Sequence, residues 1–184
     1  MEATKILREE HRVIERVLAS LEAAAAQVEA GRAIRAGFFL EAADFIKGFA
    51  DGCHHRKEEG VLFPAMEAAG VPRQGGPIGV MLAEHEEGRR LTAAMRSAAE
   101  RLERGDLTAT DTIVRSARGY AALLRQHIMK EDNILFPMAD RVIQDRKGLD
   151  VAQAFERVEQ EETREGVHQK YLDLADSLER EVKG

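Results

Sequence analysis

One stretch of eleven residues occurs twice in this chain. His54-His55-Arg56-Lys57-Glu58-Glu59-Gly60-Val61-Leu62-Phe63-Pro64 returns as His127-Ile128-Met129-Lys130-Glu131-Asp132-Asn133-Ile134-Leu135-Phe136-Pro137, with six positions identical and Val61 exchanged conservatively for Ile134. Each copy carries His-x-x-x-Glu. On an α-helix that spacing sets the imidazole and the carboxylate on one face, one turn apart. Two such faces directed at each other would make a metal site. The repeat also reaches further back, because His11 precedes His54 by 43 residues and His85 precedes His127 by 42. The lone histidines are 74 residues apart and both members of the motif 73. A held offset of this kind reads as two copies of a helical hairpin, each delivering His and then His-x-x-x-Glu.

The surrounding sequence favours helix. A length of 184 residues allows one domain with a real core. Long runs rich in Ala, Leu, Glu and Arg, with four Pro and no Trp, favour helix over strand. A first helix is expected over about residues 4–30, where Leu7, His11, Ile14, Leu18, Leu21, Ala25 and Val28 form an apolar stripe that includes the histidine. A second helix carries Phe38, Phe45, Ile46 and Phe49 to His54 and Glu58 and is expected to break or kink at Pro64. Residues 70–77 read as a loop. A third helix after Pro77 holds Ile78, Met81, His85, Gly88, Thr92, Met95 and Ala99 in register. Residues Thr108–Asp111 are expected to cap a fourth, with Ile113, Ala117, Tyr120, Leu124, His127, Glu131 and Ile134 on its buried stripe. A fifth segment, over about 150–182, has Val151, Phe155, Val158, Val167, Tyr171, Leu174 and Leu178, with Gly166 as a candidate interruption. The expected fold is all-α: an up-down antiparallel four-helix bundle over 1–146, with a C-terminal helical segment over 147–184 packed on it.

Charge and cysteine usage narrow the setting. With 33 acidic against 27 basic residues the net charge is −6, and the two signs interleave, so nucleic acid is not an expected partner. The N-terminus lacks the apolar region of a signal peptide, and no apolar run approaches transmembrane length. The single Cys53 forms no intramolecular disulfide and reads as a packed small residue. These features lead to the expectation of a cytoplasmic protein.

A lone histidine in an apolar stripe is more often a hydrogen-bonded core residue than a ligand, and a lone His-x-x-x-Glu is often a surface pair. Six such groups at core positions and matched offsets argue otherwise. Burying them uncompensated would cost on the order of several kcal/mol per charged group, which a bound cation offsets. Imidazole and carboxylate without thiolate suit iron, manganese or zinc, whereas calcium would prefer oxygen alone. Six ligands exceed the need of one tetrahedral structural zinc and suit two ions bridged by the glutamates. A single ion using fewer of them is the alternative.

The pattern of His, then His-x-x-x-Glu-x-x-x-Leu-Phe-Pro, twice over, resembles the hemerythrin-like family of HHE cation-binding domains across roughly residues 4–145. The resemblance implies a four-helix bundle around a non-haem di-iron centre with an oxo or hydroxo bridge. The family's positions fall on His11, His54, Glu58, His85, His127 and Glu131. Two departures from the oxygen-carrying pattern stand out. Its third helix offers two histidines four apart, whereas Arg89 follows His85 here; its fourth helix offers an aspartate five residues after the histidine, whereas Glu131 follows His127 at four and Asp132 at five. One ion is thereby left short of a protein ligand. His55 neighbours His54, but adjacent residues diverge by about 100° on an α-helix, which favours a solvent-facing His55. His168 and Tyr171 of the fifth segment are the other candidates. Glu59, Glu84, Glu86 and Glu87 are expected to be solvated, although one of them could orient a liganding histidine.

The function expected from this resemblance is binding or sensing of oxygen, peroxide or nitric oxide, with signalling through a protein partner or a homo-oligomer. A di-iron enzyme in peroxide breakdown or iron-centre repair is the rival, and iron storage the weaker third. Rapid peroxide turnover lost in His54→Ala would favour the enzyme, and tight reversible binding without turnover the sensor.

Overall fold

The computed structural model describes the backbone of residues 1–143, 145–162 and 167–183, and the side chains of these except 145, 146, 161, 162, 167 and 168. Among the described residues every regular element is helical. Helix α1 spans Glu2–Glu29, and its stripe from Leu7 to Ala25 is buried as the periodicity requires. The second helical run begins as α2 (Ala36–Phe45) and continues through two π-helical segments, π1 (Ile46–His55) and π2 (Glu58–Leu62), into α3 (Phe63–Ala68). Helix α4 spans Pro77–Glu103. A 3₁₀ turn at Leu107–Ala109 leads into α5 (Thr110–Lys130), which continues through π3 (Glu131–Leu135) into α6 (Phe136–Val142). Helices α7 (Asp145–Glu162) and α8 (Val167–Lys183) make up the C-terminal segment.

Pro64 does not end its helix. A proline has no N–H to donate and its ring crowds the carbonyl four residues back, so an α-helix cannot run through it undisturbed. In both copies of the repeat a π turn precedes the Phe-Pro pair, over Glu58–Leu62 and Glu131–Leu135, and the helix resumes after it. The wider turn shifts the register by part of a turn. That shift exposes Ile134, which a continuous α-helical stripe would bury, and seats Leu135 in the core instead. The expected cap on Thr108–Asp111 gives way to one on the 3₁₀ turn, where the Asp106 carboxylate accepts from the Thr108 N–H at 3.0 Å, and α5 follows Ala109 without a side-chain cap bond. The C-terminal segment forms two helices, and Gly166 lies outside the described residues.

Helix α5 packs against both α1 and α4, and α4 packs against α2. Helix α7 lies on α1 and both π1 and π2, and α8 on α1 and α2. Tyr171 of α8 covers Gly48 so closely that a Cβ there would lie 1.7 Å from its hydroxyl. The same ring meets Phe45 and Phe49 edge-on, so its neighbours are aromatic and apolar. The apolar interior is divided into two clusters. One gathers Ile14, Leu18, Phe45, Phe49, Met95, Tyr120 and Leu124, and the other Leu7, Leu62, Phe63, Met66, Leu135, Phe136 and Phe155. On each long helix the repeated histidines and glutamates fall between the residues of one cluster and those of the other. The site is therefore a polar layer sealed by apolar packing on both sides.

Candidate metal centre

All six residues singled out by the repeat converge in that layer. His11, His54, Glu58, His85, His127 and Glu131 are each at most 1% exposed. Their ligand atoms form two overlapping groups, His11–His54–Glu58–Glu131 and His55–Glu58–His85–His127. Within them, Glu131 lies between His11 and His127, with each carboxylate oxygen 3.2 Å from one Nε2. Glu58 lies between His54 and His85 at 3.6 and 3.5 Å. Each glutamate thus faces one histidine of each group.

His55 corrects the sequence reading. It is 2% exposed, its ring stacks on His85 at a centroid distance of 3.8 Å, and it supplies the third imidazole of the second group. A solvent-facing side chain was expected because neighbours on an α-helix diverge by about 100°. Both histidines close π1, whose i to i+5 hydrogen bonds take more residues per turn, so consecutive side chains diverge less and both can face inward. Tyr171 contacts Gly48, Phe45 and Phe49 and not these histidines, while the His168 side chain lies outside the described residues.

The orientation of the imidazoles is fixed from behind. His11 Nδ1 meets Asp132 at 2.8 Å, His54 Nδ1 meets Glu10 at 2.9 Å, and His55 Nδ1 meets Asp51 at 2.9 Å. His85 Nδ1 meets Glu59 at 2.7 Å and His127 Nδ1 meets Glu84 at 2.9 Å. An ionised carboxylate only accepts, so each Nδ1 donates and each Nε2 faces inward, with those of His85 and His127 3.0 Å apart. Seven buried atoms of this layer lack a hydrogen-bond partner: Nε2 of His11, His54 and His55, and both oxygens of Glu58 and Glu131. Buried polar atoms are otherwise almost always satisfied. A convergent set of imidazole nitrogens and carboxylate oxygens, most of them without a partner, is the donor set of a cation site.

Sequence reasoning missed most of these braces. Glu59 and Glu84, expected to be solvated with one of the four glutamates a candidate to orient a histidine, each hold one, whereas Glu86 is exposed. The signal was present: Glu10-His11 and Glu84-His85 repeat at the same offset of 74, and Lys57 and Lys130 at 73. Each lysine bonds the glutamate that braces the histidine three residues before it, Lys57 to Glu10 and Lys130 to Glu84. Arg89, standing where the oxygen carriers have a histidine, bonds Glu59 at 2.5 Å and approaches Asp51 at 3.6 Å. It steadies the carboxylates behind His85 and His55.

The protonation pattern follows from crowding. Burial lowers His54 to about 4, against the pull of Glu10. Burial would lower His127 as well, but Glu131 and Glu84 outweigh it and raise it to about 9. Burial, reinforced by the charge of Glu131, drives Glu58 well above the usual carboxylate range. Burial also raises Glu131, yet His127 and His11 outweigh it and hold that carboxyl well below. Burial raises the Cys53 thiol to about 11, which leaves it a packed, un-ionised side chain. Two surface cavities approach the centre. One of about 510 Å³ between π1 and α4 reaches Asp51, and one of about 380 Å³ beside α1 reaches Glu10.

A buried layer of inward-facing imidazole nitrogens and carboxylates, carried on paired helices, defines a helical cation-binding domain. The chain belongs to the hemerythrin family of HHE cation-binding domains, whose model matches residues 2–139. Among similar proteins, an uncharacterized protein of Mycobacterium tuberculosis and one of Mycobacterium bovis are each 27% identical over 180 residues, spanning 98% of this chain and 70% of their own. No solved structure gives a significant match. Among the described residues no helix is long and apolar enough to cross a membrane.

Proposed function

We propose that this chain holds two iron ions and binds dioxygen, peroxide or nitric oxide there. In this reading the four principal helical runs form an up-down antiparallel bundle. His11 and His54 would hold one ion and His55, His85 and His127 the other, with Glu58 and Glu131 available to both. The observation that carries it is the set of five Nδ1–carboxylate bonds, which leaves five Nε2 atoms aimed at one buried layer. The donor set of imidazole and carboxylate without thiolate suits iron, with manganese and zinc as the competing occupants. An iron pair supplies reversible binding or reduction of small oxygen and nitrogen species. The protein's own contribution is to fix the ring orientations through Glu10, Asp51, Glu59, Glu84 and Asp132, to share two carboxylates, and to exclude water with Phe63 and Phe136 on one side and Leu124 on the other.

Anaerobic loading with ferrous iron followed by elemental analysis tests this reading, with spectra recorded before and after exposure to oxygen, peroxide and nitric oxide. About two irons per chain, with spectra that respond to at least one of the three, is the expected result. One ion per chain, or a pair whose spectrum responds to none of them, would contradict it.

A further inference from the structure

Lys57 is fully buried. Its ammonium lies between Glu10 of α1 and Glu159 of α7, with the Phe155 ring centred 5.9 Å away. The other oxygen of Glu10 meets His54 Nδ1 at 2.9 Å. Four side chains therefore run without a break from the C-terminal segment to an imidazole of the centre: Glu159, Lys57, Glu10, His54. The second half of the repeat has only part of this chain. Lys130 bonds Glu84, and Glu84 bonds His127, but among the described residues Lys130 pairs with Glu84 alone and its side chain is 29% exposed. The difference is α7, which lies beyond the residues matched by the family and brings Glu159 to Lys57 of the first half.

We propose that Lys57 is a positioning residue through which α7 and the two-histidine half of the centre stabilise each other. The inference rests on the two-ion reading given above. With α7 docked, Glu159 and Phe155 keep the ammonium against Glu10, and Glu10 keeps the His54 ring turned inward. With α7 released, the ammonium gains water on one side and Glu10 loses its counter-charge. A cation on His54 makes its Nδ1–H a stronger donor to Glu10, which tightens the same chain from the other end. Coupling between two sites is reciprocal, so metal must favour docked α7 as much as docked α7 favours metal.

The test compares the full-length wild type with Glu159→Gln and, as the mirror case, Lys130→Gln. Glu159 is 40% exposed, so its replacement leaves the folded core intact. Affinity for each of two ferrous ions is read by competition with a chromophoric chelator under anaerobic conditions. Amide hydrogen exchange in α7 is read with and without metal. In Glu159→Gln one ion is expected to weaken about tenfold and the other to be unchanged, in line with the effect of losing an outer partner of a ligand. Metal is expected to slow exchange in α7 of the wild type and of Lys130→Gln but not of Glu159→Gln. Wild-type affinities for both ions in Glu159→Gln, together with α7 exchange indifferent to metal, would overturn the coupling while leaving the two-ion reading standing. A wild type that takes up no metal would overturn that reading and the coupling with it.

Discussion

The two halves of the repeat build the same device twice and finish it differently. In each, a Glu-His pair on one helix faces His-x-x-Lys-Glu on the next; the lysine holds the glutamate, and the glutamate turns the histidine. The halves also cross over, since Asp132 of the second holds His11 of the first and Glu59 of the first holds His85 of the second. The first half then gains a cover from α7 and lends its extra imidazole, His55, to the group that holds His85 and His127. The comparison teaches that the repeat supplies a symmetric frame, and that π1 and the C-terminal segment make its two groups of inward-facing side chains unequal.

Glu58 and Glu131 each face a histidine of both groups, so removing either is expected to have the largest effect. Glu58→Ala should lower iron content from about two to below one per chain, a bridging carboxylate being common to both ions. Retention of two ions in that variant would break the idea of a shared layer. Histidine replacements sharpen the inequality: His11→Ala and His55→Ala should each leave about one ion, and the two residual centres should differ in spectrum because the partner imidazoles differ. Identical spectra from the two variants would mean that the halves are not distinct sites. Weaker effects are expected behind the imidazoles. Glu10→Gln and Glu84→Gln should each reduce affinity for one ion by roughly 10–100-fold, as measured by chelator competition.

The smallest effects concern the C-terminal segment. Gly48→Ala, which forces a methyl group into the Tyr171 hydroxyl, should destabilise the protein by about 1–3 kcal/mol in urea unfolding without changing iron stoichiometry. Glu179 of α8 is held at about 2 by Lys183 and by Arg16 of α1, below its ordinary value of 4.5. A depressed carboxyl contributes stability above its unfolded value and loses it as pH falls. The stability difference between wild type and Glu179→Gln should therefore be constant above pH 4.5 and fade as pH drops toward 2. A difference that grows on acidification would contradict the assigned pairing.

Much of the centre was legible because the repeat is itself a spacing rule. His11, His54, Glu58, His85, His127 and Glu131 follow from matched offsets and from helical stripes that no uncompensated polar group could occupy. His55 was not legible, because a regular α-helix turns it away and nothing in Ile46–His55 announces a π-helical segment. Ile134 was misplaced for the same physical reason at π3. The bracing carboxylates were half legible: Glu10 and Glu84 recur at the offset of the histidines they precede, but an acidic residue on a charged helix looks solvated until its neighbour across the interface is known. Glu159 was beyond reach, since its role depends on where α7 docks.

The central claim is that five imidazoles and two shared carboxylates form two unequal ion positions. Crystals of the iron-loaded protein, with anomalous scattering recorded at the iron edge, test it most directly. The account predicts two peaks, one beside Nε2 of His11 and His54 and one beside Nε2 of His55, His85 and His127, with Glu58 and Glu131 reaching both. A single peak, or a His55 ring turned out to solvent beside two peaks, would contradict it.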